Sequence, residues 1–164
     1  ENELSKSAGV KLHPHTGGPV VNEAMETSVE GIFACGNVVH VHDLVDWVTD
    51  ESYKAGKGAA AYVRDKNSRQ KDFQFKTSPL SGVGYIVPHL VRPGQMGETL
   101  EMYMRVKGNH ENAALLVKAD GQLVKTVKKK VLTPGEMVVI KMKKSELPEN
   151  SFEELSIELS GEAK

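Results

Sequence analysis

The sequence has few of the residues that mark several protein classes. Cys35 is the one cysteine among 164 residues, which excludes an internal disulfide and indicates a reducing compartment. No apolar run approaches the roughly 20 residues of a membrane-spanning helix, and no basic segment followed by an apolar one indicates a secretory signal. Lysine and arginine number 21 against 22 acidic residues, so charge does not indicate binding to nucleic acid or to a membrane surface. We therefore expect a cytoplasmic protein.

The period of the hydrophobic pattern changes along the chain, which indicates two structural units. In the first, Ile32–Cys35 is apolar without alternation, as in a strand covered on both faces of a parallel sheet. Apolar residues then recur at helical spacing from Leu44 to Arg64, with small residues that would let a helix pack closely on a sheet. The first unit is thus predicted to be an α/β segment.

In the second unit the period is two, which is typical of half-buried antiparallel strands. Residues 99–107 alternate between an apolar face and a polar face that carries Tyr103, and residues 138–142 and 155–159 repeat the alternation. Asp120–Gly121 predicts a two-residue hairpin turn, and Pro93–Gly94 and Pro134–Gly135 predict further turns. Leu123 to Val131 carries lysines among its apolar residues, which favours an edge strand. We predict a β-sandwich of immunoglobulin or fibronectin type.

These patterns predict the domain boundaries. Residues 1–66 form the α/β segment, the polar residues 67–78 form a linker and the entry into a first strand, and residues 79–164 form the sandwich.

A strand that ends in Gly36–Asn37 before a helix would place polar groups at the carboxyl edge of a sheet, where cofactors bind in α/β folds. Glycine lets a ligand approach the backbone, and the asparagine amide offers an acceptor and a donor to hydroxyl groups. The residue types therefore predict a cofactor contact at this point.

The fuller pattern, Thr27 followed by Gly31-Ile-Phe-Ala-Cys-Gly-Asn37, resembles the second FAD-binding motif of the pyridine nucleotide-disulphide oxidoreductases. The resemblance is to the thioredoxin-reductase-like branch and covers residues 1–64, including the lead-in GGPVVNEAMETS and the helix after the motif. It extends to the FAD-dependent oxidoreductases associated with bacterial glycerol 3-phosphate metabolism. It implies that residues 1–66 are part of a Rossmann-like FAD-binding domain.

The resemblance also implies which residues contact the cofactor. Gly36 and Asn37 would bind FAD, although the family has aspartate where this chain has Asn37, so the bond to the ribityl hydroxyl should be weaker. The amino end of the long helix would face the flavin pyrimidine and stabilise its reduced form, with Asp46, Trp47 and Val48. The loop beside the flavin would contain His40, His42 and Asp43. No residue is assigned a catalytic role.

The amino-terminal G-x-G-x-x-G turn that holds the FAD pyrophosphate, and a second such fold for NAD(P), have no counterpart here. The string from Gly56 to Ala61 matches G-x-G-x-x-A, but it lies inside a helical pattern and follows no strand. We therefore expect the carboxyl-terminal part of a larger flavoenzyme, inactive alone, whose first partner is the rest of its own polypeptide. NAD(P) would bind through the missing part.

Other residues invite sharper interpretations. His13 with His15, or His40 with His42, could supply two metal ligands, but zinc needs three or four, so we predict no metal site. Cys35 is either a redox thiol or a small packing residue, and its apolar strand favours packing. The alternative function is a non-catalytic interaction module, in which the sandwich recruits a partner subunit. The lysines could dock an acidic partner or protect an edge strand, and the second is favoured: Lys128, Lys129, Lys130, Lys141, Lys143 and Lys144.

Overall fold

The structure, a computed structural model, describes residues 2–64 and 73–161. The chain divides into two compact units, residues 1–72 and residues 73–164, which we call the amino-terminal unit and the β unit. Taken together they contain two sheets, many strands and few helices. None of the described helices combines the length and the apolar character needed to cross a membrane.

Within residues 2–64, the amino-terminal unit contains two α-helices. α1 is the short Glu3–Ser7 and α2 is the long Val45–Arg64, and a 3-10 turn at Gly36–Val38 precedes α2. The predicted helix is therefore confirmed, with its start one residue later than expected. The extended segments of this unit meet in isolated bridges rather than in a sheet: Leu12 with Pro19, Val21 with Thr27 and Glu26 with Phe33.

The prediction of a buried strand over Ile32–Cys35 is wrong for the described structure. These residues form no strand, and each is only half-buried. The chain folds back tightly instead, since Gly31 turns with a φ of 78° and donates its N–H to Glu26 Oε1 at 3.0 Å. The Ala34 N–H then donates to Met25 O at 3.0 Å. The apolar run thus pairs with the segment just before it, and the described residues supply no parallel neighbour.

Two glycines of α2 provide a matched test of how closely this helix packs on the segment around Ala24. A Cβ added at Gly58 would lie 2.6 Å from Ala24 O, whereas one at Gly56 would meet nothing within 4 Å. We expect Gly58→Ala to destabilise the unit by about 1–3 kcal/mol through overpacking. Gly56→Ala should instead stabilise it by roughly 0.5–1 kcal/mol, because alanine is the better helix former. Urea unfolding followed by the fluorescence of Trp47 measures both, and equal shifts in midpoint would contradict the packing.

In the described part of the β unit, residues 73–161, eight strands form two sheets. The five-stranded sheet has the order β3-β1-β8-β5-β6 and the three-stranded sheet the order β2-β4-β7. The strands are β1 Phe75–Pro79, β2 Val83–Val87, β3 Leu90–Val91, β4 Thr99–Val106, β5 His110–Ala119, β6 Gln122–Leu132, β7 Val138–Lys143 and β8 Glu154–Ser160. β1 begins within residues 67–78, the predicted linker and strand entry, and ends at Pro79, the first residue of the predicted sandwich. Residues 67–72 of that linker lie outside the described residues.

The two sheets share one hydrophobic core. Its cluster combines side chains of the larger sheet, such as Leu115 and Ile157, with side chains of the smaller, such as Met102 and Ile140. The alternation predicted for residues 138–142 is confirmed, since Val138, Ile140 and Met142 are buried there. A two-sheet sandwich follows from this arrangement.

Tyr103 departs from the predicted alternation. It was expected on the polar face of β4, yet only 3% of it is exposed. Its hydroxyl donates to Glu101 Oε2 at 3.0 Å, so the ring is covered while its polar tip has a partner.

Two local predictions in the β unit are confirmed. Asp120 and Gly121 join β5 to β6 with φ of 43° and 84°, the left-handed conformations of a two-residue hairpin. β6 lies at one edge of the five-stranded sheet, as the lysines of the Leu123 to Val131 segment predicted. The Asp120 carboxylate also accepts the N–H of Glu154, at 3.0 Å, and thereby fixes the start of β8.

Candidate functional site

Gly36, the first residue of the 3-10 turn, anchors the segment that leads to α2. This residue is buried, has a φ of 71°, and donates its N–H to Glu51 Oε2 at 2.8 Å. A Cβ added there would lie 3.1 Å from Val48 Cγ1. Glycine therefore lets the 3-10 turn approach α2, and the Gly36 N–H is directed at a side chain of that helix.

Glu51 of α2 lies against His40 and His42, two histidines of the loop that joins the 3-10 turn to α2. Its Oε1 lies 2.8 Å from His40 Nε2 and 3.1 Å from His42 Nε2. The two imidazole rings are 4.3 Å apart between centroids. The side chains are at most 1% exposed. We call His40, His42 and Glu51 the His–Glu cluster.

The surroundings of Glu51 act on its pKa in opposite directions. Burial raises it, since a carboxylate loses its water. The hydrogen bond and charge of His40, the Gly36 N–H and the charge of His42 lower it, and together they hold the pKa of Glu51 below its ordinary value. Glu51 is therefore an ionised carboxylate at neutral pH. Its contribution to stability is complete above the ordinary carboxyl pKa and is lost as the pH falls through the lowered value.

The remaining predicted cofactor residues lie around the start of α2. Asn37 is exposed, and its side-chain Oδ1 accepts a hydrogen bond from the backbone N–H of His42 at 3.1 Å. Asp46 lies in the first turn of α2, as predicted for the helix end. Asp43 and Asp46 are exposed, whereas Trp47 and Val48 are half-buried.

The third member of the cluster, Glu51, was missed by the sequence analysis. A signal was present: Glu51 stands three residues after Val48 and four before Ala55, on the apolar face of the predicted helix. Glu51 and Ala55 are the buried residues of α2. A carboxylate on such a face needs a partner, and the paired histidines upstream were the candidates.

The second histidine pair and the cysteine are arranged differently. The His13 and His15 rings are 5.8 Å apart between centroids. Burial, and then the charge of His15, lower the pKa of His13. Cys35 is a half-buried thiol whose Sγ lies 3.7 Å from Ser52 Oγ. Within residues 2–64 and 73–161, the His–Glu cluster is the one set of three or more potential ligands whose donor atoms lie within 4.8 Å of one another.

Two imidazole nitrogens and one carboxylate oxygen at these distances can share a proton or hold a cation. Neither property by itself identifies a reaction. Comparison with known proteins finds no matching family model, no significantly similar curated protein and no significantly similar solved structure.

Proposed function

We propose that this chain is the carboxyl-terminal portion of a FAD-dependent, NAD(P)-linked oxidoreductase of the pyridine nucleotide-disulphide oxidoreductase family. Residues 1–66 would complete a Rossmann-like FAD-binding domain whose other half, with the NAD(P) site, precedes them. The β unit would be an immunoglobulin-like or fibronectin-like sandwich that packs on the enzyme or recruits a partner subunit. The protein would act in the cytoplasm.

One observation carries this proposal beyond the motif. Three aliphatic side chains around the start of α2 are well exposed: Val41 at 65%, Leu44 at 54% and Val45 at 74%. The three residues are close together in the sequence, and exposed apolar residues that form a patch are typical of a binding surface. The other half of a flavin domain would be a partner of the right chemistry, since the resemblance implies a flavin at this end of the helix.

The small core of the amino-terminal unit supports the same conclusion. Its buried apolar residues are five among those described, against 23 in the β unit. Burial of apolar side chains is the main favourable term in folding, so a unit with so few gains much from a further layer. The five are Val10, Val21, Met25, Val39 and Ala55.

The proposed contacts have a clear physical role. Asn37 is exposed and would meet a flavin hydroxyl through its amide. The first N–H groups of α2 would face the pyrimidine carbonyl, where the reduced flavin carries negative charge. Such a helix end stabilises an anion by about 0.3–2 kcal/mol, so it favours flavin reduction without performing the chemistry.

The test uses the whole product of the open reading frame that encodes this chain. We expect one FAD per polypeptide, seen by flavin absorbance and by quenching of flavin fluorescence, and NAD(P)H oxidation that depends on it. Asn37→Ala should weaken FAD binding by roughly tenfold, the effect of about one hydrogen bond. Asn37→Asp should retain binding, because aspartate keeps the acceptor.

The control is Asn109→Ala, which removes an exposed asparagine of the β unit and should leave FAD binding unchanged. A whole product without flavin would exclude the proposal. Equal affinities of the Asn37→Ala and Asn109→Ala variants would remove Asn37 from the site.

A specific observation favours the second candidate, the non-catalytic interaction module. β6 is an edge strand of 11 residues that exposes Lys128 and Lys130. A partner strand with acidic side chains could add to such an edge through backbone hydrogen bonds. The flavin and NAD(P)H assay described above also distinguishes the two candidate functions, because an interaction module requires neither flavin nor NAD(P)H turnover.

A further inference from the structure

We propose that the His–Glu cluster binds a divalent transition-metal ion, with Zn²⁺ the best match. His40 and His42 would each contribute Nε2, and Glu51 would contribute Oε1. The site goes beyond the proposed function, because its ligands all belong to this chain and it requires no flavin.

The donor atoms already have nearly the spacing of a metal coordination shell. Zinc bonds to nitrogen and oxygen ligands are about 2.0–2.1 Å long, so two ligands of a tetrahedral ion lie about 3.3 Å apart. The Oε1 of Glu51 lies 2.8 Å from His40 Nε2 and 3.1 Å from His42 Nε2. All three donors fall within 4.8 Å of one another. Shifts of about an ångström would therefore admit the ion between them.

The neighbouring backbone orients the carboxylate and one of the histidines. The Gly36 N–H binds Oε2 of Glu51 at 2.8 Å, which directs Oε1 towards the imidazoles. Asn37 Oδ1 accepts a hydrogen bond from the backbone N–H of His42 at 3.1 Å. This bond fixes the backbone that carries the second imidazole ring. Such outer contacts are typical of metal sites, where they orient the ligands.

Burial also favours a metal ion. The Glu51 side chain is 0% exposed, and an ionised group without water needs positive charge close by. In the structure the imidazoles face this carboxylate, and a protonated histidine can supply only one positive charge. A divalent ion supplies two positive charges to the same carboxylate.

The ligand types select the metal. Two imidazoles and one carboxylate suit Zn²⁺ and its neighbours in the transition series, whereas Mg²⁺ and Ca²⁺ prefer oxygen ligands alone. A thiolate would favour Cu⁺ or an iron–sulfur cluster, but the Cys35 Sγ lies beside Ser52. Three protein ligands leave a fourth position for water.

The test uses the untagged chain, stripped of metal with a chelator and titrated with Zn²⁺ and with Co²⁺. We expect one ion per chain and visible Co²⁺ bands typical of tetrahedral nitrogen and oxygen ligands. Glu51→Gln and His42→Gln should each weaken binding by about 100-fold or more. The matched control is the double variant His13→Gln, His15→Gln, which removes the other histidine pair and should bind as tightly as the wild type.

A measurement on the wild type keeps the result independent of whether a variant folds. Zn²⁺ should shift the ¹⁵N resonances of the His40 and His42 side chains and leave those of His89 and His110 in place. Failure to bind, binding that needs His13 and His15, or unmoved His40 and His42 resonances would each overturn the proposal. Because FAD is absent throughout, the flavoenzyme assignment can fail while the metal site stands, and the reverse.

Discussion

Replacing Glu51 with alanine is expected to destabilise the amino-terminal unit by about 3–5 kcal/mol, the effect of removing one partner from a buried ion pair. The substitution removes the carboxylate that accepts the Gly36 N–H and is hydrogen-bonded to His40 Nε2, and that lies 3.1 Å from His42 Nε2. It also leaves a cavity where the carboxylate lay. Trp47 is the single tryptophan and lies on α2, so its fluorescence during urea unfolding reports on this unit.

Asp50→Ala is the matched control for this experiment. Asp50 is the neighbouring acidic residue of the same helix and is exposed, so its removal should change stability by no more than about 0.5 kcal/mol. Glu51→Gln should fall between the two, because the amide keeps an acceptor but loses the charge. Equal unfolding midpoints for the Glu51→Ala and Asp50→Ala variants would show that the cluster does not stabilise the unit.

In the β unit, Leu115→Ala is expected to lower the free energy of unfolding by about 2–5 kcal/mol. Leu115 lies on β5 between Val127 of β6 and Leu159 of β8, and none of it is exposed. The substitution removes apolar surface from the shared core and leaves a cavity that the flanking strands restrict from collapsing. Hydrogen exchange of peptides from residues 73–161 should show faster exchange across β5 and β8.

Leu123→Ala provides the comparison for this substitution. Leu123→Ala is the same replacement, leucine by alanine, at a position on β6. Because 58% of Leu123 is exposed, we expect the free energy of unfolding to fall by no more than about 0.5 kcal/mol. If both leucines gave similar losses, the core would not lie where the structure places it.

The sequence predicted the β unit in some detail because its signals are local. Alternation assigns residues to the core face, and the Asp120–Gly121 turn joins adjacent strands. The partition into sheets of five and three strands was not predictable in this way, because alternation does not specify which strands pair. The parallel pairing of Lys76–Pro79 with Glu154–Ile157 joins segments almost 80 residues apart.

The amino-terminal unit was harder to predict for a different reason. An apolar run such as Ile32–Cys35 indicates burial but not the partner that provides it, and its observed partner is the segment just before it. Two paired histidines were seen as an incomplete ligand set, because a carboxylate nine residues after His42 appeared to be part of a helix and not of the loop. The geometry of a site depends on such contacts between elements.

The pairing of β1 with β8 affects how the β unit can fold while the chain is being synthesised. β1 emerges from the ribosome long before its parallel neighbour β8, which is the last of the described strands. Until that strand arrives, β1 has only the two residues of β3 beside it and its other edge is open. The five-stranded sheet therefore closes only after residues 154–160 have been synthesised, and nascent chains stalled before residue 154 should need protection from association.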